Sequence, residues 1–245
     1  MKIIDAHIHI GKWSEIFLNL ESTVDDAVNE LKKSGIDEAI CMPTDRTSNE
    51  ELLSEIKLRK DFKFYFNAWI NPTDENLDKF LEDNISDIHF FKIHPSIDRR
   101  KISDEAFEKY LFLASEKKIP VVVHCGRWKE MAGYEICLET ARKFPELRLI
   151  LAHLGGDQPS ICTQCAIDVR DGGYKNVYLG TESVREFHFV NKVVNTLGAD
   201  KVIFGSDYNL GLPASYLPII DRLKISNEEK ELIYSGNAMK LLQKL

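Results

Sequence analysis

The chain has 245 residues, 44% of them hydrophobic and 29% charged, and its formal net charge is −7. This composition is typical of a globular protein, and a chain of this length buries roughly 70–75% of its unfolded surface without needing disulfides. The acidic charge disfavours nucleic acid as a partner. No signal-peptide pattern opens the chain and no apolar run reaches the ~18 residues of a membrane span, so we expect a cytoplasmic protein without a membrane partner.

Short apolar segments alternate along the chain with longer amphipathic ones. The predicted strands are residues 2–8, 38–43, 62–70, 89–95, 119–125, 147–154, 176–182 and 201–207. The predicted helices, in which apolar residues recur near a spacing of 3.6, are residues 23–35, 49–60, 73–84, 103–118, 134–144, 160–173, 184–198 and 227–245. Ser226 and Glu229 form a capping-box pattern before the last helix, and Gly236 inside it predicts a kink or a break.

This alternation predicts a single α/β domain over residues 1–245, folded as a (β/α)8 TIM barrel. Near-continuous aliphatic runs such as VVV and LILA are typical of strands that are buried on both faces. The alternative is an open doubly wound sheet. That fold would usually carry a glycine-rich phosphate loop after the first strand, and the chain has none there.

The five cysteines indicate a reducing compartment, because their number is odd and no signal peptide precedes them. Cys162 and Cys165 form a CxxC pair. Because no second pair accompanies it, we interpret it as two thiols packed on one side of a helix rather than as a zinc or redox site.

The first strand carries polar side chains at alternate positions. Asp5, His7 and His9 share one parity, so we expect them to face one side of the strand. Residues i and i+2 of a strand lie ~6.5–7 Å apart, from which two imidazoles can reach one ion at ~2.0–2.1 Å each. The HxH spacing therefore indicates two ligands of one metal ion.

Five of the seven histidines lie at predicted carboxyl ends of strands, where barrel enzymes build their active sites. Besides the first pair they are His94, His124 and His153, and Asp207 closes the eighth strand. A lone histidine usually satisfies a local hydrogen bond. Burying several converging polar groups costs ~1–3 kcal/mol for each group unless it is paired. A metal ion is the natural partner of clustered imidazoles and a carboxylate.

Six motifs spread along the chain resemble the amidohydrolase superfamily, and more closely the branch that contains aminocarboxymuconate-semialdehyde decarboxylase. They are DAHIH (5–9), FKIHP (91–95), VVVHCG (121–126), LILAHLGG (149–156), VIFGSD (202–207) and SGNAMKLL (235–242). The resemblance implies one divalent ion, zinc first and manganese, iron or cobalt as substitutes. It implies the metal ligands His7, His9, His124 and Asp207, with His153 beside the metal.

The mechanism that follows is a hypothesis about a metal-activated water. Asp207 would accept a proton from that water and pass it to the leaving group, and His153 would polarise the scissile carbonyl. Asp5 would support the site from below by fixing the tautomer of a histidine.

The chain departs from its relatives in three places. Relatives often have an aspartate near Gly180 that supports the metal site from behind the ligands, and Glu182 would take this supporting role here. Relatives also often have a proline at the position of Asn209. The first strand begins at residue 2, so we expect no additional β-sandwich domain of the kind that many larger amidohydrolases carry.

Lys92 shares its strand parity with His94, and we expect both to contact substrate at the mouth. One interpretation pairs Lys92 with a carboxylate, either that of Asp5 or that of the substrate. The other makes it a carbamylated lysine that bridges two metals; we favour the first and a single ion. Arg127 could bind a substrate carboxylate and Trp128 could stack on a ring, although ordinary loop solvation explains both equally well.

These features favour a metal-dependent hydrolase of a small amide, lactone or ester. A non-oxidative decarboxylase uses the same ligands and is the main alternative. A TatD-type nuclease is disfavoured, because that class commonly has a glutamate where Lys92 lies and because the chain is acidic. The last alternative is a non-catalytic protein that binds a metal or a metabolite. The partner is a small-molecule substrate, and the sequence is compatible with a homo-oligomer.

Overall fold

A computed structural model describes residues 1–126, 128–156 and 158–243. The described residues contain nine strands in a single sheet, in the order β2-β1-β3-β4-β5-β6-β7-β8-β9. The strands are β1 (Ile4–Lys12), β2 (Glu21–Ser22), β3 (Glu38–Pro43), β4 (Lys63–Trp69), β5 (Ile88–Ile93), β6 (Val121–Val123), β7 (Leu149–Leu151), β8 (Val177–Gly180) and β9 (Val202–Ile203). All neighbours are parallel except the short β2, which pairs antiparallel with β1.

The sheet closes where the segment after β9 meets β1. The backbone N–H of Ala6 donates to the carbonyl of Phe204 at 3.0 Å, and that of Asp207 donates to the carbonyl of His7 at 2.9 Å. Ile8 then pairs in parallel with Tyr208. Eight parallel strands therefore form a closed barrel, which confirms the predicted TIM-barrel fold.

Every predicted helix is present in the structure. The helices are α1 (Val24–Lys33), α2 (Asn49–Leu58), α3 (Leu77–Asn84), α4 (Pro95–Asp98), α5 (Glu105–Glu116), α6 (Lys129–Ala132), α7 (Tyr134–Lys143), α8 (Pro159–Asp171), α9 (Phe187–Leu197), α10 (Pro213–Asp221), α11 (Asn227–Glu231) and α12 (Asn237–Leu242). The prediction missed α4, α6 and α10. The first two are single turns, and α10 contains Pro218 within the helix. No described helix is long and apolar enough to cross a membrane.

The C-terminal helix shows both features predicted for it. Ser226 and Glu229 form the capping box that opens α11. A wide helical turn over Leu232–Gly236 separates α11 from α12, so the irregularity ends at Gly236. None of the five cysteines forms a disulfide, and all are buried, including the CxxC pair in α8.

The barrel interior is filled by alternate side chains of its strands, as in other barrels of this type. This inner cluster contains Ile4, Ala6, Ile40, Tyr65, Phe90, Val122, Ile150, Tyr178 and Ile203, and Ala238 and Leu241 of α12 pack against it. The intervening residues of the strands pack outwards against the helices. At the carboxyl ends of the strands the inward positions become polar, which creates the site described below.

A β-bulge changes which residues of β1 face inwards. The pairing of β1 with β3 shifts register between Asp5 and Ile8. Beyond the bulge Ile8 and Ile10 pack in the outer layer, so His7 and His9 face the interior. The predicted common face is thus wrong for Asp5, because the extra residue of the bulge reverses the alternation after it.

Asn237 ties the start of α12 to the entry of β9. Its buried amide donates to the carbonyls of Ala199 and Val202, both at 2.8 Å.

We predict that Asn237→Ala lowers the free energy of unfolding by about 2–3 kcal/mol, because two buried carbonyls lose their donor. Urea denaturation measures this, with the exposed Asn195→Ala as the control, which should stay within about 0.5 kcal/mol of the parent. Equal stability of the two variants would contradict a stabilising role of the Asn237 hydrogen bonds.

Candidate active site

A cavity of about 290 Å³ opens at the carboxyl ends of the barrel strands. One part of its wall is polar and the other is apolar. The polar side chains are His7, His9, Lys92, His94, His124, His153, Ser183 and Asp207, and the apolar ones are Trp13, Phe17 and Leu210. This is the position at which barrel enzymes hold their substrates.

Three side chains converge on the floor of the cavity. Nε2 of His7 lies 3.6 Å from Oδ1 of Asp207, and Nε2 of His9 lies 3.7 Å from the same oxygen. One ligand atom from each of the three residues lies within 4.8 Å of those of the other two. Within the described ranges this is the one group of three or more such side chains that could hold a metal ion.

His9 is oriented by the backbone. Its Nδ1 lies 2.9 Å from the carbonyl oxygen of Pro43, which can only accept, so Nδ1 carries the hydrogen. Burial, followed by the neighbouring His7 and Lys92, lowers the pKa of His9 to about 3. The ring is therefore neutral, and the lone pair of Nε2 is available for a cation.

His7 lies between a carboxylate and an amine. Its Nδ1 is 2.9 Å from Oε1 of Glu182, in a contact too bent to satisfy the hydrogen-bonding capacity of either atom. Its Nε2 is 3.2 Å from Nζ of Lys92. Burial first, and then Lys92, lower the pKa of His7 well below its ordinary value, so Nε2 accepts from the ammonium group.

Asp207 is held by a left-handed backbone conformation, with φ 62°. Its Oδ2 accepts a hydrogen bond of 2.5 Å from Oγ of Ser183, which leaves Oδ1 facing the two imidazoles. Burial opposes ionisation, but the imidazoles of His7, His153 and His9 and the Ser183 hydroxyl outweigh it. The pKa of Asp207 therefore lies below its ordinary value, and the group is a carboxylate.

His124 and His153 contact each other. Nδ1 of His153 lies 2.9 Å from the carbonyl oxygen of Glu182, so it carries a hydrogen, and Nε2 of His153 lies 3.0 Å from Nδ1 of His124. Of the four ligands implied by the resemblance, the structure thus brings three together. His124 is bonded to His153 instead, with its own Nε2 against Gly126.

His94 belongs to a stack of three rings. It lies between Trp69, at a centroid distance of 5.5 Å, and His124, at 3.9 Å. Its Nδ1 accepts a hydrogen bond of 3.3 Å from the N–H of Ile97 and so caps α4. Two rings therefore stack with His94 and one of its nitrogens is hydrogen-bonded, and the ring forms part of the cavity wall.

Lys92 lies inside the barrel and is 1% exposed. Burial lowers the pKa of its ammonium group to about 8, against the opposing charges of Asp207 and Glu182. Its hydrogen bond goes to His7 rather than to Asp5, the protein carboxylate considered from the sequence. It lines the cavity together with His94, as the shared parity predicted.

Asp5 does not support a histidine ring as expected. Its Oδ1 accepts from the backbone N–H groups of His7 and Ser206, at 3.2 Å and 3.0 Å, and so joins β1 to the segment after β9. The bulge in β1 explains the difference, because it turns Asp5 away from the imidazoles. Burial raises the pKa of Asp5 to about 7.

The remaining sequence predictions concern the loops. Arg127 lies outside the described residues. Trp128 is 45% exposed and is not among the described residues that line the cavity. Sequence reasoning missed the apolar wall, and it missed Ser183, although this residue directly follows the Glu182 to which the family resemblance had pointed.

Three solved structures illustrate the likeness of the whole chain to other proteins. An uncharacterized TIM-barrel protein from Bordetella bronchiseptica has a TM-score of 0.78 and 18% identity, covering 100% of this chain and 99% of that one. For 5-carboxyvanillate decarboxylase from Sphingomonas paucimobilis the TM-score is 0.76, the identity 12% and the coverage 98% of each chain. A probable 2-pyrone-4,6-dicarboxylic acid hydrolase from Acinetobacter baumannii has a TM-score of 0.72 and 14% identity, with 99% of each chain covered. Likeness at such identities shows the fold alone.

Sequence comparison extends this result. No curated protein is significantly similar to the chain in sequence. A family model described as amidohydrolase matches residues 4–244, which include every strand and every histidine of the cavity. The chain therefore belongs to the amidohydrolase family.

Proposed function

We propose that this protein is a metal-dependent hydrolase of a small amide, lactone or ester. The observation that carries the proposal is the convergence of His7, His9 and Asp207 on one point of the cavity floor. Two neutral imidazole nitrogens and one carboxylate suit zinc, and three protein ligands leave a position open, as in catalytic zinc sites. Manganese, iron or cobalt would be accepted by the same nitrogen and oxygen donors.

A single ion is the simpler arrangement for these residues. Lys92 lies beside the three proposed ligands and not at a second group of them. Its hydrogen bond to Nε2 of His7 would be replaced by the ion. A carbamylated Lys92 that bridges two ions is the less favoured alternative. His124 would become the fourth ligand if its ring exchanged the hydrogen bond with His153 for the ion.

The proposed chemistry uses Asp207 and His153. A divalent ion in such a site lowers the pKa of a bound water from 15.7 to about 7. The Asp207 carboxylate accepts the proton of the attacking water and later passes it to the leaving group, while Ser183 holds its second oxygen. His153 is held at Nδ1 by the backbone carbonyl of Glu182, and its ring would polarise the substrate carbonyl on whose oxygen charge develops.

A non-oxidative decarboxylase is the second candidate. Lys92 places a buried ammonium group on the cavity wall beside His94, and these residues would attract a substrate carboxylate. 5-Carboxyvanillate decarboxylase and the probable 2-pyrone-4,6-dicarboxylic acid hydrolase share this fold, so the fold is compatible with either candidate. In both cases the proposed partner is a small molecule that enters the mouth of the barrel.

We predict that the purified protein contains about one divalent ion per chain and that the double variant His7→Asn, His9→Asn loses it, because two of the three neutral or anionic donors are gone. Elemental analysis by inductively coupled plasma mass spectrometry measures the content. His188→Asn, which changes a histidine exposed on α9, is the matched control and should keep the ion. An undiminished metal content in the double variant would refute this site.

A substrate panel separates the two reactions. We predict metal-dependent hydrolysis of at least one lactone, amide or ester, measured by proton release, and loss of that activity by about 10²- to 10⁴-fold in Asp207→Asn, which removes the proton acceptor. The panel also holds aromatic carboxylates and phosphodiesters. Release of carbon dioxide without hydrolysis would establish a decarboxylase instead. Cleavage of a phosphodiester would establish a nuclease. Inactivity with every metal would leave a binding protein.

We predict that Ser183→Ala lowers kcat for the substrate found by roughly 10- to 100-fold, because a hydrogen bond to a charged group contributes about 1.5–3 kcal/mol. The zinc content should stay at the parental value, since His7, His9 and Asp207 remain in place. Ser54→Ala, on the exposed side of α2, is the control. Steady-state kinetics measures the effect, and an unchanged kcat would contradict the assigned role of the hydroxyl.

A further inference from the structure

We propose that Glu182 is the positioning residue of the metal centre, and that the absence of side chains at Gly180 and Gly205 is what admits its carboxylate. This inference rests on the proposed metal-dependent function and adds to it the residue that orients His7. The support comes from contacts, space and sequence order at the end of β8.

The first support is the contact between two buried atoms. Oε1 of Glu182 and Nδ1 of His7 lie 2.9 Å apart, and neither atom has a well-formed hydrogen bond elsewhere. Glu182 is 1% exposed, so solvent does not satisfy it either. A buried nitrogen and a buried carboxylate oxygen thus lie within hydrogen-bond distance of each other, and each is the partner that the other requires.

The second support is the space around the carboxylate. A Cβ atom at Gly180 would lie 2.2 Å from Oε2 of Glu182, and one at Gly205 would lie 3.1 Å from the same oxygen and 2.9 Å from Cβ of His7. Real atoms do not approach at 2.2 Å, so the carboxylate occupies the room that a side chain at position 180 would take. Glu182 thus folds back into the barrel along its own strand end.

The third support is that neighbouring groups at this strand end orient two further site residues. The carbonyl oxygen of Glu182 holds Nδ1 of His153 at 2.9 Å, and the next residue, Ser183, holds Asp207. Thr181 fixes the segment by accepting from the N–H of Gly205 at 3.1 Å. One short strand end therefore orients three of the side chains around the proposed ion.

The consequence for His7 is a defined tautomer. A carboxylate at Nδ1 and the Lys92 ammonium group at Nε2 both favour the hydrogen on Nδ1, which leaves a lone pair on Nε2, 3.6 Å from Oδ1 of Asp207. The same contact makes the imidazole a stronger donor to a cation. Loss of such a supporting partner typically weakens metal binding by about 10- to 100-fold.

The test compares Glu182→Ala, Glu182→Gln, Gly180→Ala and the double variant Gly180→Ala, Glu182→Ala. Zn²⁺ is titrated into chelator-stripped protein by calorimetry, with Glu186→Gln, an exposed glutamate at the start of α9, as the control. We expect Glu182→Ala to raise the Kd by about 10- to 100-fold. Gly180→Ala should do the same by displacing the carboxylate, and the double variant should bind no more weakly than Glu182→Ala alone. Glu182→Gln, which keeps an acceptor oxygen, should fall between parent and Glu182→Ala.

A second measurement needs no metal. Nitrogen-15 NMR of the His7 ring reports which nitrogen carries the hydrogen and whether that N–H is hydrogen-bonded. We expect hydrogen on Nδ1 in the parent and a changed Nδ1 chemical shift in Glu182→Ala, because the N–H loses its acceptor while Lys92 still donates to Nε2. An unchanged Nδ1 chemical shift together with an unchanged zinc Kd would overturn the proposal, as would additive losses in the double variant. Absence of zinc binding in the parent would instead refute the proposed function, while the NMR comparison would still decide the role of Glu182. Circular dichroism confirms that each variant is folded, and the isosteric Glu182→Gln carries the test if Glu182→Ala does not fold.

Discussion

The hydrogen bond from the backbone N–H of Asp207 to the carbonyl of His7 joins the last strand of the barrel to the first. It places a carboxylate from the end of the chain opposite two imidazoles from its beginning. The left-handed backbone at Asp207 and the bulge in β1 are both local distortions that aim side chains into the cavity. The rest of the site is arranged around the three groups that this closure brings together.

The surrounding groups keep these three in forms that suit a cation. A backbone carbonyl holds the hydrogen of His9 on Nδ1, the Glu182 carboxylate faces Nδ1 of His7, and a serine hydroxyl binds one oxygen of Asp207. Burial keeps both imidazoles neutral, and the pKa of Asp207 lies below its ordinary value although burial opposes its ionisation. Many polar groups are thus buried together, at a cost that a bound cation would offset.

The barrel and most cavity residues were predictable because both follow from local rules. Alternation of apolar and amphipathic segments indicates the strand and helix order, and the strand-end rule then selects His94, His124, His153 and Asp207. Asp5 was misplaced because a bulge arises from pairing with β3, which no pattern within β1 reveals.

The contacts between side chains from different strands could not be predicted from the sequence. That His124 bonds to His153, or that Glu182 fills the room above Gly180, depends on distances set by the closed barrel. The apolar wall was missed for a similar reason. Trp13 and Phe17 follow the end of β1, where the alternation of polar and apolar residues has stopped. Only the fold places them against the cavity.

X-ray absorption spectroscopy of the zinc-loaded protein identifies the atoms bound to the ion and so shows whether His7, His9 and Asp207 hold it. We expect nitrogen and oxygen neighbours at about 2.0–2.2 Å, with the multiple scattering of two or more imidazoles. A sulfur shell at about 2.3 Å would place the ion among the buried cysteines instead and would contradict the site formed by His7, His9 and Asp207.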